Sequence, residues 1–455
     1  MKKTLVSILF GATLFAFAAC GGGASAPAPV ATPAPVQDAS ATAPPAQQAE
    51  PSANAQQAPD EVITINFWHS LSGVHFDGIQ NIVDAFHEYQ DRIRVEHIFQ
   101  GNPTELHQSV LANAMAGTLP HIGSPQIVQI TQYINEGFVL PLDPFMADPG
   151  IGMTPAEIDD IITIFRQMST WDDVMYSVPF GKSTRVLFYN RDMLDAAGLD
   201  VPATWAEILS HAEAMTTTGV TGMAFENAYG AEFQALLAQH GGTFINEQSR
   251  TAHFGSEAGI AAMSFLADLV NSPYGRLAGE DGFMSGVFGS HGAAMYIGSS
   301  AGLPHVAGAM REGTNWGTAP SPTLDGYQSV QFSGPDAVLF NSPNHTEAEQ
   351  RAAWEFLRFT LRPEITAQWA ADSGYIPVRY SAVDLPLFVA HLEENPRARA
   401  ANEQFENGFF PPRLQESSQI NTALTEQQEL IMLGIIDVAT GLQIAEDEAN
   451  RILGN

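Results

Sequence analysis

The stretch Ile63–Gly73, ITINFWHSLSG, decides how the folded part of this chain is read. Ile63, Ile65 and Phe67 alternate with Thr64 and Asn66, the period of a strand with one buried face. Directly after it Phe76, Ile79, Val83, Phe86 and Tyr89 recur at helical spacing. The corner between the two carries Trp68 and His69, then Ser70 and Ser72, which are expected to cap the helix. In an open α/β sheet such corners lie at the carboxyl ends of strands, where ligands are met. Trp68 and His69 are therefore candidate ligand contacts, with core filling by Trp68 as the competing role.

The pattern continues outward. RIRVEHIF places Ile93, Val95 and Phe99 on alternate sites, a second strand. Thr154/Glu157, Thr204/Glu207 and Thr346/Glu349 each form a capping box, a hydroxyl and a glutamate three residues on satisfying free amides at a helix start. Pro155 occupies the first helical position of one of them. The helix through Trp354, Leu357 and Leu361 should stop near Arg362-Pro363, and Gly374 has the position of a helix-terminating glycine. Alternating strands and helices predict an α/β fold.

The N-terminus has a different character. Lys2 and Lys3 precede an apolar run, Leu5 to Ala18, too short to span a membrane comfortably and suited to a signal-peptide core. Phe17-Ala18-Ala19-Cys20 resembles the lipobox of bacterial lipoproteins, with Phe17 where leucine is usual. That resemblance implies removal of residues 1–20 up to the cysteine and lipidation of Cys20. Ordinary cleavage near Ala19 is the alternative. Cys20 is the only cysteine, which rules out an intrachain disulfide and a thiolate metal cluster. Residues 21–60 are almost all Ala, Pro, Gln, Gly and Ser and are expected to be a disordered tether. Such a tether reaches roughly 35 Å as a coil and about 120 Å as polyproline II. The formal net charge of -31, with 19 Lys plus Arg, speaks against nucleic acid as a partner.

Several stretches, in order, carry a family resemblance: FWHSLSG, GTLPHI, SVPFGKSTRVLFYNRDMLDAAGLDVPATWAEI, GGTFIN, AAMYIGSSAG, FSGPDAVLF, SGYIPVR and EDEANRIL. Together they resemble the family 1 extracellular solute-binding proteins of ABC importers, over about residues 61–455. FWHS and PPRLQESSQI are most similar to the glycerol-3-phosphate-binding branch. The resemblance implies a two-lobed periplasmic-binding-protein-like fold (type II), with interleaved lobes joined by hinge strands and ligand held between them. Carried onto this chain, the first lobe comprises 61–180 and 298–335, and the second 181–297 and 336–455.

The resemblance also implies site residues. Ser183 matches a phosphate-binding serine, and Ser299 and Ser300 match a pair of which at least one contacts ligand. Gly334 matches a backbone donor, Tyr375 a phenol, and Arg413 the arginine that pairs with the anion. An arginine fork fits phosphate oxygens and stays charged. Trp68 and His69 from the first lobe, with Tyr375 and Arg413 from the second, are expected to clamp the ligand. The polyol end departs from the branch. Gly101-Asn102-Pro103 stands where a tyrosine is usual, Gly123-Ser124-Pro125-Gln126 lacks a glutamate, and Tyr229 and Phe233 are the nearest aromatics where wall tryptophans are usual. The expected ligand is glycerol 3-phosphate, a glycerophosphodiester or a related phosphorylated polyol, with a sugar or oligosaccharide as the alternative. Permease subunits of the importer and, through the lipid, a membrane are the expected partners. The protein is expected to be a monomer at the cell surface or in the periplasm, without cofactor or metal and not an enzyme.

Other readings compete. Gly298-Ser299-Ser300-Ala301-Gly302 fits the nucleophile elbow G-x-S-x-G, with Asp336 and His391 downstream as an acid and a base, which points to an α/β-hydrolase with Ser300 as nucleophile. Gly302-Leu303-Pro304 is a poor start for the long helix an elbow requires. The 13 histidines form no H-E-x-x-H, so a metal-binding lipoprotein has little support. A purely structural surface protein would not need the ligand-facing corners.

Overall fold

The computed structural model describes residues 62–227 and 229–454; the leader, Cys20 and the expected tether lie outside them. Two large sheets organise the chain. Their strands, in chain order, are β1 (Ile63–His69), β2 (Ile93–Phe99), β3 (Ile122–Gly123), β4 (Ser177–Pro179), β5 (Ser183–Asn190), β6 (Thr221–Phe225), β7 (Gly275–Leu277), β8 (Ala293–Ser299), β9 (Trp316–Pro320), β10 (Val330–Ser333), β11 (Asp336–Leu339) and β12 (Gly408–Phe409). A five-stranded sheet runs β2-β1-β3-β11-β4, and a seven-stranded sheet runs β7-β6-β8-β5-β10-β12 with β9 also paired to β5. In the first, β1 is parallel to β2 and β3, and β11 is antiparallel to β3 and β4.

Each sheet carries its own helices. Ile65 and Phe67 of β1 pack with Ile79 and Phe86 of helix Val74–Tyr89 and with Trp354, Phe356 and Leu357 of helix Glu347–Thr360. In the second lobe Met223 and Ile297 pack with Ile208, Met263, Leu266, Ile420, Leu424 and Leu442. All three capping boxes form, at Thr154, Thr204 and Thr346. Helix Glu347–Thr360 ends before Pro363, which opens the next helix, and Gly374 closes that one with φ 75°.

The opening corner is built differently from the expectation. Gly73, at φ 58°, is the N-cap, and no side chain caps the helix. Ser72 contributes only its carbonyl, which accepts from the His75 amide at 3.2 Å. A residue without Cβ suits that positive φ.

Sheet membership also corrects the expected lobe boundaries. β9 and β10, within the 298–335 segment assigned to the first lobe, pair antiparallel with β5 of the second sheet. β11, assigned to the second lobe, sits between β3 and β4 of the first. Helices Glu347–Thr360 and Pro363–Ser373 follow it there. The partners of these short strands lie far away in sequence, so no local pattern specifies them.

Two strand connections cross between the sheets side by side. β4 continues into β5, and β10 into β11, with Asp336 opposite Pro179 and Ser333 opposite Ser183. At the crossing the Gly181 amide donates to the Pro335 carbonyl at 3.0 Å, and the Ile376 amide donates to the Lys182 carbonyl at 2.8 Å. Gly334 has φ 107°, and a Cβ there would lie 2.0 Å from the Gly181 carbonyl oxygen. Only glycine satisfies both constraints.

Beside it Lys182 and Asp336, both with fully buried side chains, form an ion pair. Asp336 also accepts from the hydroxyls of Ser169 at 2.8 Å and Ser177 at 2.5 Å, and the Lys182 ammonium reaches the Gly334 carbonyl at 3.4 Å. Lys2, Lys3 and Lys182 are the only lysines of the chain. Breaking a buried pair leaves one charge uncompensated, at a cost of about 3–5 kcal/mol. Lys182→Met and Asp336→Asn are each expected to lower the denaturant midpoint accordingly. A chemical-denaturation series that finds either variant as stable as the native chain would show that the pair does not hold the crossing.

Candidate functional site

Most of the candidate residues gather at this crossing. Ser183 opens β5, buried, opposite Ser333. The fully buried Ser300 hydroxyl accepts from the Thr184 amide at 3.3 Å, and Ser299 ends β8 with its hydroxyl on the Ala301 amide at 3.3 Å. The Tyr375 ring lies 5.5 Å from that of Trp369 and 5.0 Å from that of His75, centroid to centroid. A Cβ on Gly181 would be 3.1 Å from the Tyr375 ring, and one on Gly374 would be 3.2 Å from the Ser300 carbonyl oxygen. Ser183, Ser300, Gly334 and Tyr375 thus lie in the neighbourhood of one crossing. Burial pushes the Tyr375 phenol up, so it remains a neutral donor. Tyr375 packs with first-lobe residues, a correction to its expected place on the second lobe.

Trp68 and His69 part company. Side chains alternate along a strand, and the face of Ile65 and Phe67 is also the face of His69, which is fully buried. The His69 Nδ1 accepts from the Leu71 amide at 3.3 Å. Its Nε2–H is then left to donate to His97 Nδ1 at 3.0 Å, and His97 Nε2–H to Gln80 Oε1 at 2.8 Å. Both ring nitrogens are used inside the fold, so His69 is a core residue and not a ligand contact. Trp68 is half-buried on the other face. Its carbonyl accepts from the amide of Ser124, whose own buried hydroxyl has no partner among the described residues.

Arg413 lies on the segment between β12 and helix Ser417–Met432 and reaches across to the first lobe. Its Nη1 donates to the carbonyls of Gln167 at 2.7 Å and Met168 at 3.4 Å, and also to that of Thr170. The guanidinium lies 5.0 Å from the ring centroids of both Trp171 and Phe410. The backbone is pinned as well, its carbonyl by the Thr131 hydroxyl at 2.8 Å and its amide by Glu247 at 3.1 Å. Burial lowers the Arg413 pKa, against the pull of Glu247 and Asp336. The buried Nε has no partner among the described residues.

On the second lobe, beside Ser333 and Pro411, a cavity of about 300 Å³ opens. Tyr229, Gln234, Gln331, Asn421 and Gln428 line it, with Arg185 at its edge. Glu232 engages Arg185 Nε at 2.6 Å, and Glu226 engages its Nη1 at 3.1 Å. Burial pushes the Glu232 carboxyl up, against the opposing pull of Arg185. Tyr229, the phenol on this wall, is pushed up to about 12 by burial, while Phe233 is core.

The elbow motif takes another form. After β8 the chain makes a single 3-10 turn, Ser300–Gly302, and then a short helix, Leu303–Ala309. Ser300 faces the Thr184 amide, Asp336 is held by Lys182, and His391 stacks on Phe388 at 5.8 Å. Among the described residues no group of three His, Cys, Asp or Glu side chains is placed to hold a metal ion, and no helix is long and apolar enough to cross a membrane.

Sequence reasoning missed the Lys182–Asp336 pair and the carboxamide wall. The isolation of Lys182 in a lysine-poor chain was a usable signal for the first. The second had none, since its members come from three separate segments. The strand alternation that placed Phe67 inside would also have placed His69 inside.

Comparison with known proteins adds context. Residues 81–398 match the family model described as bacterial extracellular solute-binding protein. The sn-glycerol-3-phosphate-binding periplasmic protein of Rhizobium meliloti is 25% identical over 422 residues, covering 86% of this chain and 93% of that protein. Its counterpart from Yersinia pseudotuberculosis is 24% identical, covering 82% and 88%. Among solved structures, UgpB of Mycobacterium tuberculosis in complex with glycerophosphocholine superposes with TM-score 0.76 at 21% identity, covering 86% of this chain and 98% of that one. The cyclic alpha-maltosyl-1,6-maltose binding protein of Arthrobacter globiformis gives 0.74 at 23% identity, covering 86% and 99%. Both superpositions share the two-lobed fold.

The buried His69 has a pH consequence. Burial, and then the neighbouring His97, lower its pKa from 6.5 to about 4. Between those values the unfolded chain binds the proton and the folded chain does not, so stability falls as pH drops from about 6.5 towards 4. His69→Gln is expected to flatten the dependence of the unfolding free energy on pH in that window. An unchanged slope would mean that His69 does not titrate as its surroundings dictate.

Proposed function

The chain belongs to the bacterial extracellular solute-binding proteins, and we propose that it captures a phosphorylated polyol between its lobes for an ABC importer. Glycerol 3-phosphate or a glycerophosphodiester is the ligand class that fits best, in keeping with the names of the relatives. The observation that carries this reading is Arg413. A guanidinium from a second-lobe segment is buried at the rim of the first lobe, and its Nε–H has no partner among the described residues. Serine hydroxyls, the Tyr375 phenol and the Gly334 amide are uncharged donors for the remaining phosphate oxygens. The work is a two-state equilibrium and not a reaction. Ligand that touches both lobes stabilises the closed form, and the closed form docks on permease subunits.

A second reading, capture of a neutral sugar, is favoured by one fact: Arg413 Nη1 is already spent on three backbone carbonyls. Thermal-shift measurement of the full chain against glycerol 3-phosphate, glycerophosphocholine and oligosaccharides separates the two, because a ligand that binds only the folded state raises its melting temperature. A phosphorylated ligand should give the shift, and Arg413→Ala should weaken its binding by about 2–5 kcal/mol. Shifts only with neutral sugars, or affinity for phosphorylated ligands indifferent to Arg413→Ala, would transfer the assignment to sugars.

We further propose that Cys20 is lipidated, so that residues 21–60 act as a leash holding the lobes near a membrane. Cys20→Ser is expected to move the protein from the membrane to the soluble fraction and to abolish labelling by a radioactive fatty acid. Retention of both in the variant would exclude the anchor.

A further inference from the structure

We propose that the second-lobe cavity is a subsite for an uncharged, hydroxyl-rich group, so that the ligand pairs a phosphate with a polyol ring or chain larger than glycerol. The proposal rests on the reading of a phosphate near Arg413 for its anionic end, and the cavity's own chemistry supplies the rest.

The volume of about 300 Å³ lies at the small end of the range for ligand pockets and suits one six-membered ring. Its position follows from the backbone. Gln331 and Ser333 lie on β10, just ahead of Gly334, and Pro411 is two residues ahead of Arg413. The polar lining is dominated by carboxamides. Each carboxamide offers a donor and an acceptor on adjacent atoms, a match for vicinal hydroxyls. Gln331 Nε2 donates to Gln234 Oε1 at 3.4 Å, and among the described residues the Gln234 amide hydrogens have no acceptor. The Tyr229 hydroxyl is buried without a partner among the described residues, an unmet polar group on the same wall.

Charge and aromatics exclude the alternatives. The one cation at the edge, Arg185, is neutralised by Glu226 and Glu232, so a second anionic group finds no counter-ion there. A quaternary ammonium group is held by several aromatic faces, and Tyr229 is the only aromatic residue lining the cavity among the described residues.

The test compares glycerol 3-phosphate, glycerophosphoinositol, glycerophosphocholine and maltose by calorimetric titration of the full chain and of Gln331→Leu and Asn421→Leu, with melting temperatures checking that the variants fold. Glycerophosphoinositol should bind at least about tenfold tighter than glycerol 3-phosphate. Each variant should lose about tenfold for the inositol ester, as expected for buried groups left unpaired, and stay within about twofold for glycerol 3-phosphate. Tighter binding of glycerophosphocholine than of the inositol ester, or equal losses for both glycerol esters in the variants, overturns the proposal. If only maltose binds, the phosphate reading fails by itself; the subsite then stands if Asn421→Leu weakens maltose about tenfold and falls if it does not.

Discussion

The ion pair between Lys182 and Asp336 fixes the geometry on which the rest of the molecule depends. Two strand connections pass each other between the sheets, and both charges lie at that passage, out of contact with water. A buried pair adds little net stability over apolar residues of the same size, because desolvation offsets attraction. Its value is positional: with three polar partners around it, a slip of either strand by one residue would strand a charge in the interior. Ser183 follows Lys182 directly and Gly334 stands two residues before Asp336, so the register that satisfies the pair also aims the candidate ligand contacts.

Around that fixed point the two flanks differ in chemistry. On one side Arg413 brings a largely buried guanidinium against first-lobe carbonyls and aromatic rings. On the other the positive charge of Arg185 is consumed by two glutamates, leaving amides and a phenol as the other polar groups of the lining. A ligand lying between them would be polarised, charged at one end and neutral at the other. Arg413 also ties the lobes together through backbone contacts, assisted by Asn135 and Gln415 at 2.9 Å. The residue proposed to meet the anion is thereby also one that joins the two lobes.

Much of the fold was legible because it is local. Capping boxes, the Pro363 break and the Gly374 terminus each depend on residues within a few positions, and all stand where the sequence puts them. The two-lobed fold came from family resemblance rather than from any pattern in the residues. The candidate site was half legible. Ser183, Ser300 and Gly334 stand at strand ends near the crossing, and Tyr375 stands beside the bridge from Lys182 to Ile376. His69 was misplaced because a corner residue was read for its chemistry while its strand parity was ignored. The lobe boundaries failed for a different reason. Strands of four residues have too little pattern to reveal which of two sheets they join, and the choice is made by pairing across more than a hundred residues.

That long-distance pairing has a consequence for how the chain matures. β11 fills the gap between β3 and β4, so the first sheet stays split, with raw strand edges, until residue 339 has been made. Assembly so dependent on distant partners is slow. A polypeptide that cannot knot itself into shape early remains threadable for longer. The leader resembles an export signal, and late closure of the first sheet is compatible with export of the chain before it folds.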